Sequence, residues 1–475
     1  MVSNKTVKSQ MERILNENFD ELDIRFTDLK GHWRHVTVPA SMVDEEFFLR
    51  GVGFDGSTLA GMTQTEAGDL VLRPDPRRVF EDKFTERKTL VIFADIVDPV
   101  SGEAFSRDPR SIARKAAGFL KESGMATDSY WAPEFEFYIF DEACFWAERG
   151  SQGYRVGSIE NPENSKIAEA KGFVHACKSG YHMMYPVDSL HDIRSEITMQ
   201  MQQAGIQTKY HHHEVGRMGQ SEVEVTFSPF LSAADNVMLT KHIVRNVALK
   251  HGLSATFMPK PAEGEPGSGM HFHMFMTDKQ KRIFYDKNGY CKLSGPALNA
   301  IAGILHHAPA VCAFSNASVN SYHRLVPGQE APVFRFFSGP NRSAAIRVPS
   351  YARTAESMRF EYRVPDGISN PYLSMSAILM AAIDGMRKEM DPEKLGYGPI
   401  DENVFADGYN TDDLHVLPRN LGEALDALEA DRDFLEAGGV FSKRMIDDYI
   451  KMKREEVACF QGSPHPKEHS LYFSL

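Results

Sequence analysis

Residues 131–140, Trp-Ala-Pro-Glu-Phe-Glu-Phe-Tyr-Ile-Phe, alternate apolar and acidic side chains. Phe135, Phe137 and Ile139 take one face of a strand, and a period of two then puts Glu134 and Glu136 together on the other. Two carboxylates side by side repel. On a surface strand such a pair is a solvated edge, but the surrounding aromatics favour a cation held inside a cleft. A second strand of this kind follows in YHHHEVGRMGQSEVEVTF (210–227), where Glu214 precedes a glycine-containing turn and Glu222 and Glu224 alternate with Val223 and Val225. His211, His212 and His213 cannot all point one way on a strand, which argues against a three-histidine zinc site and leaves at least one of them structural or in contact with substrate. The HEVGRM run also lacks the HExxH spacing of a zincin.

Two further stretches extend the pattern. In GSGMHFHMFM (267–276), His271 and His273 share a face, and Gly267, Ser268 and Gly269 let backbone approach a ligand; plain burial of the histidines is the alternative. In MRFEYRVPD (358–366), Arg359, Glu361 and Arg363 share a face, so the acid is expected between those two guanidinium groups, with a structural ion-pair ladder as the alternative. Five glutamates and a histidine from four strands suit Mg²⁺ or Mn²⁺, whereas zinc favours Cys and His. Arg324, Arg342, Arg347, Arg359 and Arg363 lie close together in the chain. Guanidinium forks bind phosphate and carboxylate, so the combination reads as phosphoryl transfer on an acidic substrate. No GxxxxGK[ST] loop is present, and a nucleotide would be held by metal and arginine instead.

The whole chain agrees with a large α+β enzyme. Its 475 residues are 42% hydrophobic and 25% charged, with mean hydropathy -0.36, which excludes global disorder. The net charge of -12 disfavours nucleic acid as a partner. Five scattered cysteines without a CxxC pair argue for a reducing compartment. The N-terminal residues lack an apolar signal region and no uninterrupted apolar run spans a bilayer, so a cytoplasmic protein without membrane contact is expected; the apolar windows at 300–314 and 372–386 read as buried helices. The expected organisation is an N-terminal helix over 1–20, short strands over 21–106, and one large domain over 107–475. That large domain opens on a helix capped by Asp108, with Pro109 at its first position and Gly124 as its stop. It closes on helices between Asn420 and Val457, which either mediate assembly or pack back on their own domain.

Taken together, these motifs resemble type I glutamine synthetases, the bacterial and archaeal ligases that join ammonia to glutamate. The resemblance spans nearly the whole chain: GFDGS (53–57), PEFEF (133–137), HHHEVGRMGQSE (211–222), FMPKP (257–261), GSGMHFH (267–273), NSYHRLVPGQEAP (320–332), NRSAAIRVP (341–349), and RFEYRVPD (359–366) followed by NPYL (370–373). It implies a β-grasp domain followed by a catalytic domain with a C-terminal helical arm, in a double-ring dodecamer whose active sites lie between subunits. It also implies one metal held by Glu136, Glu214 and Glu222 and a second by Glu134, His271 and Glu361, with Mg²⁺ or Mn²⁺ as the ion and ATP as co-substrate.

The remaining roles follow from the same resemblance. Gly267, His271, Arg324 and Arg363 would bind L-glutamate, and His273, Arg342, Arg347 and Arg359 would face ATP or its phosphates. Asp55, arriving from a neighbouring subunit, would bind ammonium and remove its proton; Glu330 would close the site on a flap; Arg342 would neutralise the transferring phosphate. The chain departs from the family pattern at Pro266, where Asn is usual, and at Phe275, Gln329 and Glu356. Tyr409 lacks the sequence context of an adenylylated tyrosine, so no such control is expected. A γ-glutamyl-amine ligase taking methylamine or a larger amine is the nearest rival reading. A catalytically silent ring-forming relative is a second, opposed by the presence of every metal-ligand candidate.

Overall fold

The computed structural model describes residues 4–63, 68–161, 172–328, 331–406 and 408–475. Helix α1 (Asn4–Asn16) leads into β1 (Glu21–Thr27) and β2 (Trp33–Pro39), then α2 (Phe47–Arg50), β3 (Val52–Asp55), β4 (Asp69–Asp82) and β5 (Thr89–Val97). The strands form one sheet in the order β2-β1-β5-β4-β3, with β1 and β5 parallel and the other pairs antiparallel. Leu22, Ile24 and Phe26 alternate into its core, while Leu90, Val91, Ile92 and Phe93 are buried in succession, as expected of a central strand covered on both faces.

Helix α3 (Pro109–Glu122) begins as its sequence dictates: Asp108 Oδ2 accepts the Ser111 amide at 3.0 Å, and Gly124 turns away at φ 73°. Next come β6 (Asp128–Phe140), the hairpin β7 (Glu142–Glu148) and β8 (Ser151–Gly157), α4 (His191–Gln203), β9 (Thr208–His213), β10 (Gln220–Val225), β11 (Ser228–Pro229), α5 (Phe230–Lys250) and β12 (Ser254–Thr256). The chain continues through β13 (Met270–Asp278), β14 (Lys281–Arg282), α6 (Gly295–Ser315), α7 (Ser321–Arg324), β15 (Phe337–Ser338), β16 (Ile346–Arg347), β17 (Phe360–Tyr362) and α8 (Pro371–Arg387). The main path of this second sheet is β15-β16-β17-β13-β6-β10-β9. Helices α3 and α5 lie against β6, and α8 packs on α3, α5 and α6 behind them. Arg110 of α3 ties β4 and β5 of the first sheet to α5 through Asp75, Asp95 and Asp235, at 3.1, 2.6 and 2.9 Å.

The two apolar windows are α6 and α8. Helix α6 is long and apolar enough to cross a membrane by composition, but 78% of its apolar window is buried inside the fold. Its His307 is held between Asp384 and Asp431 at 2.9 and 2.7 Å. The two helices touch through facing glycines: a methyl on Gly303 would lie 2.2 Å from the Ala381 carbonyl oxygen and 2.7 Å from Gly385 Cα. Backbone cannot yield there as a flexible side chain would. Gly303→Ala is therefore expected to cost about 1–3 kcal/mol or more, and a melting temperature equal to wild type would show that the helices separate freely.

The C-terminal part is α9 (Leu421–Ala430), α10 (Asp433–Glu436), α11 (Lys443–Gln461) and α12 (Pro466–Tyr472). Leu421, Ala424, Leu425 and Leu428 are buried as their spacing requires, and Tyr449 Oη donates to the Ala313 carbonyl at 2.8 Å. The arm thus packs back on its own domain as far as α11, whereas α12 buries no residue. All five cysteines are free.

Candidate active site

Strand register gathers the acids. On β6, Glu134 lies opposite Glu224 and Glu136 opposite Glu222 of β10; on the other side, His271 of β13 lies opposite Glu134. Glu361 pairs with His273 and with Arg347, while His212 and Tyr210 of β9 pair with Glu222 and Glu224. A period of two sends all of these to one face and Phe135, Phe137, Val223, Phe272, Phe360 and Tyr362 to the other, where they are buried. A slip of one residue would exchange the two sets, so the apolar face fixes the position of the acidic one.

The acidic face borders a cavity of about 610 Å³. His271 Nδ1 stands 3.1 Å from Glu134 Oε2 and 3.6 Å from Glu361 Oε1, and its Nε2 is 3.5 Å from Glu136 Oε1. His273 bonds to Glu134 from behind. Glu361 is fully buried between Arg347 and Arg363, each donating at 2.7 Å. This corrects the expected pairing: Arg359 sits beyond the end of β17, donates to the Ser357 carbonyl at 3.0 Å and lies 5.2 Å from the Tyr351 ring, and the neighbouring strand's Arg347 takes its place.

Ligand atoms of Glu134, His271 and Glu361 lie within 4.8 Å of one another, as do those of Glu134, Glu224 and His273 and those of His212, Glu214 and Glu222. The first group is the second metal set expected from the sequence. In the third, His212 stands where Glu136 was expected; Glu136 instead accepts the Gly269 amide at 2.7 Å. Burial first, and then Glu134, Glu136, Glu224 and Glu361, hold the Glu222 carboxyl well above its ordinary pKa. Burial also pushes Glu361 up, but Arg363, His273 and Arg347 together outweigh it and bring that carboxyl down to about 2. Oxygen donors that repel one another at this range fit a hard divalent cation.

A measurable consequence concerns metal-dependent stability. The cost of ionising Glu222 is absent below an unfolded carboxyl pKa of about 4.3 and accumulates as pH rises toward its raised folded value. Mg²⁺ or Mn²⁺ should therefore raise the melting temperature more at pH 8 than at pH 5, and Glu222→Gln should shrink that difference. Equal shifts at both pH values would contradict the argument.

The remaining candidates divide clearly. Arg324, Arg342, Arg347, Arg363 and Gly267 line the cavity with the acids. Arg324 is braced by the carbonyls of Val364 and Arg363 at 2.8 and 3.0 Å. Gly267 permits this approach, since a methyl there would lie 2.6 Å from Arg324 Cγ and 2.9 Å from the Pro259 oxygen. The adjacent Pro266 carbonyl accepts the Tyr138 hydroxyl at 2.7 Å. His273, Arg359 and Glu361 lie outside the cavity lining. Asp55 is exposed at the end of β3, where it caps Ser57 at 2.8 Å, and does not reach its own chain's cavity. Gln329 and Glu330 lie outside the described residues.

Sequence reading left Lys178, Tyr181 and His182 unassigned although they line the cavity, because no strand or helix period marks their segment. Tyr210 and Lys209 both hold Glu224, and the alternation of β9 and β10 contained that signal.

An acid-lined sheet with arginines at its cavity, preceded by a small five-stranded sheet, defines a two-part protein able to hold cations and anions side by side. Residues 18–99 match the family model described as glutamine synthetase, beta-Grasp domain, and residues 106–472 match glutamine synthetase, catalytic domain. The chain is 43% identical over 471 residues to the glutamine synthetase of Aquifex aeolicus, covering 99% of each chain, and 42% identical over 457 residues to that of Streptomyces filamentosus, covering 96% of each. Its structure is similar to a cryo-EM structure of Plasmodium falciparum glutamine synthetase, with TM-score 0.89, 27% identity and 99% of both chains covered. It is also similar to a GmaS–ADP complex, with TM-score 0.82, 26% identity and 98% and 99% covered. The chain belongs to the glutamine synthetase family.

Proposed function

We propose that the protein joins ammonia to the γ-carboxylate of L-glutamate, using ATP and passing through γ-glutamyl phosphate, to give glutamine, ADP and phosphate. The observation that carries this reading is the convergence of Glu134 and His271 with Arg324 and Arg363 at one cavity, with the buried Glu361 carboxylate 3.6 Å from His271. A carboxylate is a poor acyl donor, and phosphorylation supplies a leaving group that ammonia can displace. Two anions must first be brought together. Glu134, His271 and Glu361, and separately Glu214 and Glu222 with His212 or Glu136, would hold Mg²⁺ or Mn²⁺, which when bound neutralise phosphate charge.

The chain's own cations do the rest of the positioning. Arg342 and Arg347 face the cavity and are assigned to the transferring phosphate, while Arg324 and Arg363 are assigned to the glutamate carboxylates. Arg359, beside the cavity-lining Tyr351, is assigned to the nucleotide, and His273 orients Glu134 toward the same side. Asp55 of a neighbouring copy would bind ammonium and take its proton, and Glu330 would close the site against water, which hydrolyses an acyl phosphate. The assembly assigned to the protein is a dodecamer of two rings, in the cytoplasm.

The test is phosphate release from ATP with glutamate and Mg²⁺ or Mn²⁺, comparing ammonium, methylamine and no amine, with the product identified by mass. Turnover chiefly with ammonium, yielding glutamine, is expected. A preference for methylamine would make the protein a γ-glutamyl-amine ligase and direct attention to the Pro266 segment. No turnover with any amine would leave a silent relative.

A further inference from the structure

The strand alternation that points His212 at the active-site cavity turns His213 to the opposite face of β9, where it meets two other buried side chains, Glu160 and His175. Glu160 and His213 have no exposed surface and His175 is 6% exposed. One ligand atom from each residue lies within 4.8 Å of the others. The two rings share one tautomer. His213 Nδ1 is 2.6 Å from the Glu214 carbonyl oxygen and His175 Nδ1 is 3.1 Å from that of Ala176, so each Nδ1 carries the proton and donates it. Each Nε2 is left with a lone pair, the arrangement that prepares a histidine to ligate a metal.

The lone pairs then lack a donor. His213 Nε2 faces Glu160 Oε2 at 3.1 Å, and His175 Nε2 is buried with no hydrogen-bond partner among the described residues. Protonating His213 would satisfy Glu160 but would leave the His175 nitrogen as it is. Glu160 is itself held in place, its other oxygen accepting the Ser189 amide at 2.9 Å and the Ser189 hydroxyl at 2.7 Å. Gly180 allows the cluster to form, since a methyl there would lie 2.7 Å from Cε1 of both histidines.

We infer that Glu160, His175 and His213 form a zinc site separate from the catalytic cations. Two imidazole nitrogens and one carboxylate are a donor set for a borderline cation such as Zn²⁺, in contrast to the mainly carboxylate clusters on the cavity side of the sheet. Tetrahedral zinc bonds of about 2.0–2.1 Å set ligand atoms roughly 3.4 Å apart, close to the 3.1 Å between His213 Nε2 and Glu160 Oε2 and within the 4.8 Å that spans the three. A fourth position stays open to water. The site joins the segment after the β7–β8 hairpin, the segment bearing Lys178 and Tyr181, and the residue preceding Glu214. Its role is to brace that wall of the active-site cavity from outside.

The test is zinc uptake by the full-length protein, stripped with chelator and then equilibrated with Zn²⁺ in the presence of excess Mg²⁺ to occupy the carboxylate sites. Elemental analysis should find one tightly held zinc per chain in wild type and none in His175→Ala. Co²⁺ in place of zinc should give the intense visible bands of a four-coordinate site in wild type alone. His175→Gln, closer in size to the native residue, repeats the comparison should the alanine variant fail to fold, and X-ray absorption of the wild-type zinc protein should show two imidazole ligands. Equal zinc content in wild type and a folded His175 variant, or zinc without imidazole ligation, would overturn the assignment.

Discussion

Glu361→Gln is expected to lower kcat/KM by about 10³-fold or more while leaving the chain folded. The carboxylate is fully buried, accepts hydrogen bonds from Arg347 and Arg363, and stands 3.6 Å from His271. An amide of the same shape cannot neutralise the two guanidinium groups or serve equally as a metal ligand. Removing one partner of such a buried ion pair typically costs about 3–5 kcal/mol, because a charge remains uncompensated. The pH dependence separates this from a general weakening of the fold. With a folded pKa of about 2, the ionised carboxylate contributes stability that is fully present above its unfolded value of about 4.3 and is lost as pH falls toward the folded one. Denaturant midpoints of the metal-free protein should show that acid loss in wild type and lack its Glu361 component in the variant. Mn²⁺ titration should give fewer ions per chain; activity within tenfold of wild type at unchanged stoichiometry would remove Glu361 from the metal site.

The second large effect is expected at Asp55. Its carboxylate is exposed, is bonded among the described residues within its own turn at Ser57, and is absent from its own chain's cavity. If it captures ammonium for a neighbouring subunit, Asp55→Ala should slow amide formation by about 10²-fold or more while leaving single-turnover ADP formation from ATP and glutamate nearly intact. Equal losses in both steps would take Asp55 out of the ammonium role. Co-assembly sharpens the test. In mixed oligomers of Asp55→Ala and Glu361→Gln chains, random pairing would give about a quarter of sites both native residues, so activity should return to roughly that fraction of wild type. A site built within one chain would show no recovery.

These expectations rest on features of unequal visibility. The carboxylate faces of β6 and β10, the histidine pair of β13 and the apolar windows inside α6 and α8 could be read directly, because alternation and apolar runs are properties of the local chain. The Asp108 cap and the Gly124 stop were visible for the same reason. The motif resemblance added the order of the two domains. The partner of Glu361 was not legible: spacing named Arg359, but β17 is three residues long and Arg347 arrives from the adjacent strand. Lys178 and Tyr181 come from a segment with no period, and only its packing against the sheet shows that they reach the cavity.

The sequence by itself determined which side chains share a face of β6, β10 and β13 and where α3 begins, since these depend on a few neighbouring residues and on backbone geometry. Only the tertiary structure decided which strands lie side by side, that His212 joins Glu214 and Glu222, that His213 meets Glu160 and His175 behind them, and that Asp55 is outside its own chain's cavity. Those relations join residues far apart in the chain. They are set by register and by packing of the opposite, apolar face, which no local pattern records.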